Sequence, residues 1–215
     1  MVEWREPFSV VQKSQPPAPP KPLAAGEIKE LLEKLKNKNN ADKQIAAGRL
    51  CQVEPKERRE EVAKALEAVS LEEDYITRSA ALKALCVWAT KENVPTLIQL
   101  LDCKDIMVHT GVIKVLEQLK DERSVEPLAQ KMVSAHTRKA AIQALKSMGN
   151  IAEKAVGKVL LNSKDIFLRR EACLVLKEIG TKASLDILNE VCKDTNGLVR
   201  SSANEAVQAI ASRKS

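Results

Sequence analysis

The sequence predicts an all-α chain, a repeat array of about six helix pairs over residues 26–215 that follows a Pro-rich tail over residues 1–25. Three observations carry this. The 215 residues are 44% hydrophobic and 30% charged, but only 2% aromatic, with seven glycines. That balance favours helix and leaves little material for hairpins or phosphate-binding turns. Apolar residues recur at helical spacing from Gly26 onward, beginning with Ile28, Leu31, Leu32 and Leu35. Finally, a pattern returns about every 30 residues, the mark of a solenoid.

The tail comes first. Six of the nine prolines fall in residues 1–25, mostly in Ser14–Pro22. Proline fixes φ and donates no amide, so this run reads as a disordered polyproline spacer. Pro16–Lys21 also fits a PxxPx(K/R) ligand, a match that arises often by accident. Ahead of the spacer stand Trp4 and Phe8, either packing on the first helix pair or serving as a tethered recognition motif.

Beyond the tail, Lys43, Arg78, His109, Arg138, Arg169 and Arg200 form one column with spacings of 35, 31, 29, 31 and 31. The longer first step reads as one extra helical turn. Three residues after each stands Ala46, Ala81, Val112, Ala141, Ala172 or Ala203. Seven after stands Leu50, Leu85, Leu116, Leu145, Leu176 or Val207. Val53, Trp88, Leu119, Met148, Ile179 and Ile210 follow at ten. These offsets trace one helix stripe, small where a neighbour approaches and large where the core is filled. Four residues before each column member lies Asn39, Asp74, Asp105, Ser134, Asp165 or Asn196, all preferred N-caps. Shorter apolar segments at 94–101, 125–129, 156–161 and 185–188 supply the first helix of each pair. Pro95 and Pro127 sit in their first turns, where a missing N–H costs little.

The run Asp165–Gly180, with similar segments at 105–119, 134–149 and 196–210, resembles the second helix of a HEAT repeat. The short period is similar to that of HEAT-like repeats in phycobilisome-lyase-type proteins. The resemblance implies a right-handed α-α superhelix, a HEAT-like solenoid of the armadillo-like helical kind, with its second helices on the concave face. Arg49 departs from it, standing where later repeats have Ala or Val, as a polar cap on the first repeat would.

Charge and cysteine usage bound the setting. No 18-residue apolar run and no secretory signal occur, and Cys51, Cys86, Cys103, Cys173 and Cys192 form no CxxC pair. Free thiols in a cytoplasmic, monomeric protein are expected. Residues 76–215 carry 22 basic and 15 acidic side chains, whereas residues 26–75 carry 10 and 12. The later part therefore favours an acidic partner.

The column reads first as mortar, each cation pairing with the Asp one turn earlier or with the next repeat's acid. Arg138 and Arg200 follow uncharged caps, so they are the expected free guanidiniums for a partner's carboxylates, with Arg78, Arg169 and Lys43 behind them. A second stripe, Lys83, Lys114, Lys146 and Lys177 interrupted by Glu117 and Glu205, reads as a solvated face.

Catalysis has little support. His109 and His136 form no His-Glu dyad, and no nucleophile triad, Walker motif or GxGxxG turn occurs. No metal ligand set or cofactor is expected, and no lyase residue carries over to a matching motif. Nucleic-acid binding in the manner of HEAT-like DNA-repair proteins would be purely electrostatic, with only Trp88 and Tyr75 to stack. The expected function is therefore non-catalytic: a protein-binding scaffold that holds an acidic or extended partner segment in its concave groove.

Overall fold

The computed structural model describes residues 26–103 and 106–213, and side chains throughout these except at 106 and 107. The expectations for residues 1–25, with Trp4 and Phe8, and for the Asp105 cap lie outside the described residues. Within the described residues lie twelve α-helices in six pairs and no strand. The first helices are α1 (Glu27–Lys36), α3 (Arg59–Ser70), α5 (Val94–Leu101), α7 (Val125–Lys131), α9 (Glu153–Asn162) and α11 (Leu185–Val191). Their partners are α2 (Asn40–Leu50), α4 (Tyr75–Trp88), α6 (Ile106–Leu119), α8 (Arg138–Met148), α10 (Ile166–Ile179) and α12 (Gly197–Ser212). At 12 residues, α3 is the longest of the first helices and holds the extra turn of the first spacing.

The second helices stack in series, α2 on α4 on α6 on α8 on α10 on α12. Among the first helices only α1 with α3 and α7 with α9 meet extensively. A stack tighter on one side curves toward that side, so the second helices form the inner, concave layer. The stripe sits where the spacing puts it. All six small residues, from Ala46 to Ala203, are fully buried, as are Leu50, Leu85, Leu116, Leu145 and Leu176. Trp88 is buried too, and its indole N–H donates to the Leu50 carbonyl at 2.9 Å, tying the second repeat to the first.

Asn39, Asp74, Asp165 and Asn196 each accept an amide of the following first turn. Ser134 does not. Helix α8 starts at Arg138 after Thr137, a buried residue whose hydroxyl donates to the Lys131 carbonyl at 2.7 Å. That bond folds residues 134–137 into a turn, leaving the Ser134 carbonyl, not its hydroxyl, to take the Thr137 and Arg138 amides. Short 3₁₀ turns join successive pairs at Lys91–Asn93, Glu122–Ser124 and Lys182–Ser184, each opened by a side chain (Thr90, Asp121 or Thr181) that accepts an amide. Where Gly180 leaves α10, a Cβ would lie 2.8 Å from Ile210 and closer still to the Leu176 carbonyl, so only glycine fits there.

Candidate functional site

The basic column lies at the ends of the first helices. Arg78 donates to the Glu72 and Glu73 carbonyls at 3.0 and 3.3 Å, just past α3. His109 Nε2 sits 2.9 Å from the Cys103 carbonyl past α5, an acceptor that assigns the proton to that nitrogen. Arg138 donates to the Met132 and Val133 carbonyls at 3.0 and 3.2 Å past α7, and Arg200 to that of Asp194 at 2.7 Å past α11. Arg169 donates to the Leu160 carbonyl inside α9. A cation placed here satisfies orphan carbonyls at the negative end of a helix dipole.

The same side chains reach forward to the next repeat. Lys43 grips Glu72 at 2.6 and 2.7 Å, Arg138 binds Asp165 at 2.9 Å, and Arg169 pairs with Asp194. Of the two pairings expected of the column, these three cations take the second, the acid of the next repeat. Amides of Leu168 and Phe167, then Arg138, hold the Asp165 carboxyl below its usual range. Asp194 is lowered in the same way, first by the Asn196 amide and then by Arg169.

The expectation that Arg138 is uncommitted is overturned. Its neutral neighbour Ser134 is irrelevant because its partner lies 27 residues ahead. Arg200, the other proposed free guanidinium, is exposed and makes a single carbonyl bond. Arg49, the atypical residue of the first repeat, reaches back to Glu27 in α1 at 2.6 and 3.2 Å.

The concave face carries a different set of charges. Helices α4 and α8 contain no acid, and α6 contains only Glu117. Lys83, Lys114 and Lys139 are exposed there, and none makes an ion pair or hydrogen bond among the described residues. Farther along, Lys146 and Lys177 are neutralised by Glu178 and Glu205. Two hollows open beside the free lysines. One, of about 520 Å³, lies between α4 and α6 with Leu82, Cys86 and Val87 among its walls. The other, of about 540 Å³, lies between α8 and α10 beside Ile142. An exposed aromatic lines each, Tyr75 in the first and Phe167 in the second.

The family model for HEAT repeats matches residues 62–146 and 131–208, well over half of the chain. The chain belongs to the HEAT-repeat family. A search of the curated proteins finds no match. Among solved structures, an engineered protein aligns at 18% identity over 86% of this chain and 97% of its own, with a TM-score of 0.55. The archaeal HEAT-like repeats protein from Thermococcus onnurineus NA1 aligns at 17% identity over 88% of each chain, with a TM-score of 0.53. A designed armadillo repeat protein does so at 15% identity over 84% of this chain and 98% of its own, also at 0.53. At these identities the likeness concerns the fold.

Several other sequence candidates are absorbed by the HEAT array itself. Trp88 is sealed in the core and cannot stack on a base, whereas Tyr75 stands free at the groove edge. Cys173 is buried, and desolvation pushes its thiol up to about 12. Burial also raises Cys51 and Cys86, so none of these three is an activated nucleophile. No three His, Cys, Asp or Glu side chains converge as a metal site among the described residues. No described helix is long and apolar enough to cross a membrane. Sequence reasoning named Lys83 and Lys114 but read them as a solvated face, and it did not single out Lys139 or the exposed Phe167 at the groove edge. The signal was present: no acid in α4 or α8, and a bulky apolar residue just after the caps Asp74 and Asp165.

Proposed function

We propose that this HEAT array is a non-catalytic binding scaffold that holds an acidic segment of a protein partner along its concave groove. One observation carries the reading. Column cations are spent on helix ends and neighbouring repeats, while Lys83, Lys114 and Lys139 stand unneutralised beside hollows walled in part by apolar side chains. Stacked helices hold such a surface in place before a ligand arrives, which lowers the ordering cost of binding. The lysines supply attraction and register, and the hollows supply desolvated contact area. The column residues support this groove from behind; Arg200, exposed in the final repeat, is the column member most open to a partner.

Affinity capture with the full chain tests the proposal when the wild type is compared with K83E/K114E/K139E. Proteins held by the wild type and released by the triple variant, with R200E as a separate comparison, are the expected result. Identical retention by wild type and triple variant would remove the groove from the account. A gel shift with DNA and RNA at low salt separates the nucleic-acid alternative. Retardation that weakens steeply with added salt would favour that reading instead.

A further inference from the structure

We infer that the groove selects an extended acidic segment bearing two bulky apolar side chains six residues apart, one seated between α4 and α6 and one between α8 and α10. The inference rests on the scaffold reading and adds the partner's chemistry and register.

The two hollows share their ingredients, although Tyr75 stands on the earlier helix of its hollow and Phe167 on the later, beside Glu171. Each has an exposed aromatic at the N-terminal end of a second helix: Tyr75, 46% exposed, and Phe167, 65% exposed. Each carries apolar side chains along its wall, Leu82 and Val87 in one and Ile142 in the other. Each is flanked by free lysine, Lys83 and Lys114 in the first and Lys139 in the second. A side chain suited to both is therefore apolar and bulky, with acidic neighbours.

The spacing follows from the stack. The hollows lie two repeats apart, and packed helix axes are about 8–10 Å apart, so the centres are separated by roughly 16–20 Å. An extended segment rises about 3.1 Å per residue as polyproline II and about 3.3 Å as a strand. Six residues then cover about 19–20 Å. Six is also a multiple of both periods, three and two, so residues i and i+6 face the same way in either conformation. An α-helix would need about 11–13 residues for the same span. At about 10–12 Å across, it is wider than the interval between neighbouring helices and would ride above the hollows. The residues between the anchors pass Lys114 and Lys139, which is where carboxylates belong.

Fluorescence anisotropy on the full-length protein tests the register with three labelled synthetic peptides of Asp, Glu and Ser. One carries Leu at positions 2 and 8, one carries Leu at positions 2 and 5, and one carries none. The six-spaced peptide is expected to bind about tenfold or more tighter than the other two. Gly111 lines the first hollow, and a Cβ there would come no closer than 4.0 Å to Leu82, so a side chain can start there and G111L is aimed into the hollow, with an unchanged melting temperature required of the variant. In G111L the six-spaced advantage should disappear. Equal binding of all three peptides, lost in K83E/K114E/K139E, would overturn the register and leave the acidic groove intact. Binding indifferent to the lysine substitutions would overturn both. Tighter binding of a helical peptide with anchors twelve apart would overturn the extended conformation and the six-residue spacing with it.

Discussion

Arg138→Ala and Arg200→Ala remove the same chemical group from equivalent positions of two repeats, yet their consequences should differ. Arg138 is about a quarter exposed, with a side-chain accessibility of 24%, and serves two carbonyls and Asp165. The Met132 carbonyl belongs to a buried residue, so its lost charge-assisted bond costs about 1.5–2 kcal/mol. The Val133 carbonyl belongs to an exposed residue and is taken over by water, and the partly exposed Asp165 pair adds little. For an array of this size each kcal/mol moves Tm by roughly 2–4 °C, so R138A should melt about 3–8 °C below the wild type. Arg200 makes one bond from an exposed position, and R200A should stay within about 2 °C. Thermal unfolding followed by circular dichroism reads both. Hydrogen exchange should show the R138A loss concentrated between α7 and α10. Equal shifts, or no shift in R138A, would refute the assignment of Arg138 to the carbonyl end of α7.

Acid should weaken the joints for a definite reason. Asp165 and Asp194 are held below the usual carboxylate value of about 3.9, first by backbone amides, so their stabilisation is full above that pH and is lost as pH falls through their lower folded values. Tm should therefore drop below about pH 4. Trp88→Phe removes the indole donor to Leu50 and leaves space in a sealed core; urea unfolding should show a loss of about 2–3 kcal/mol, and a change under 0.5 kcal/mol (roughly) would contradict the packing described. Cys173, raised to about 12, should resist iodoacetamide at pH 8 in the folded protein and react once it unfolds, as peptide mass spectrometry would record.

The fold was legible because a solenoid repeats its own rules. The offsets of three, seven and ten place Ala141, Leu145 and Met148 in the core as surely as Ala172, Leu176 and Ile179, since every repeat meets the same neighbour geometry. Reading failed where a local signal competed with a tertiary one. Ser134 has the right residue type and offset for a cap, but the Thr137 hydroxyl bonds back to Lys131 and delays the helix by one turn. Asp74 and Arg78 have ideal helical spacing, yet the guanidinium turns to the carbonyls that end α3, because those acceptors have no other helical donor.

The candidate site was harder to see for a related reason. A cation's availability is decided by what stands one repeat ahead, and sequence spacing within a helix does not report it. Arg138 looked free beside Ser134 while Asp165 was waiting 27 residues away. Lys83 and Lys114 looked like ordinary solvated charge because Glu117 and Glu205 interrupt their stripe, whereas in the stack it is Lys146 and Lys177 that are answered, by Glu178 and Glu205. Only in the assembled stack does the stripe divide into a neutralised half and an unneutralised half. The unneutralised half coincides with the α4–α6 hollow, and Lys139 extends it to the next. Charge left unpaired on a rigid face, where the same array pairs it elsewhere, costs nothing in water but gains strongly when an acid covers it and excludes that water. On the scaffold reading proposed above, that asymmetry favours the groove lysines over the more regular arginine column as the residues that meet a partner.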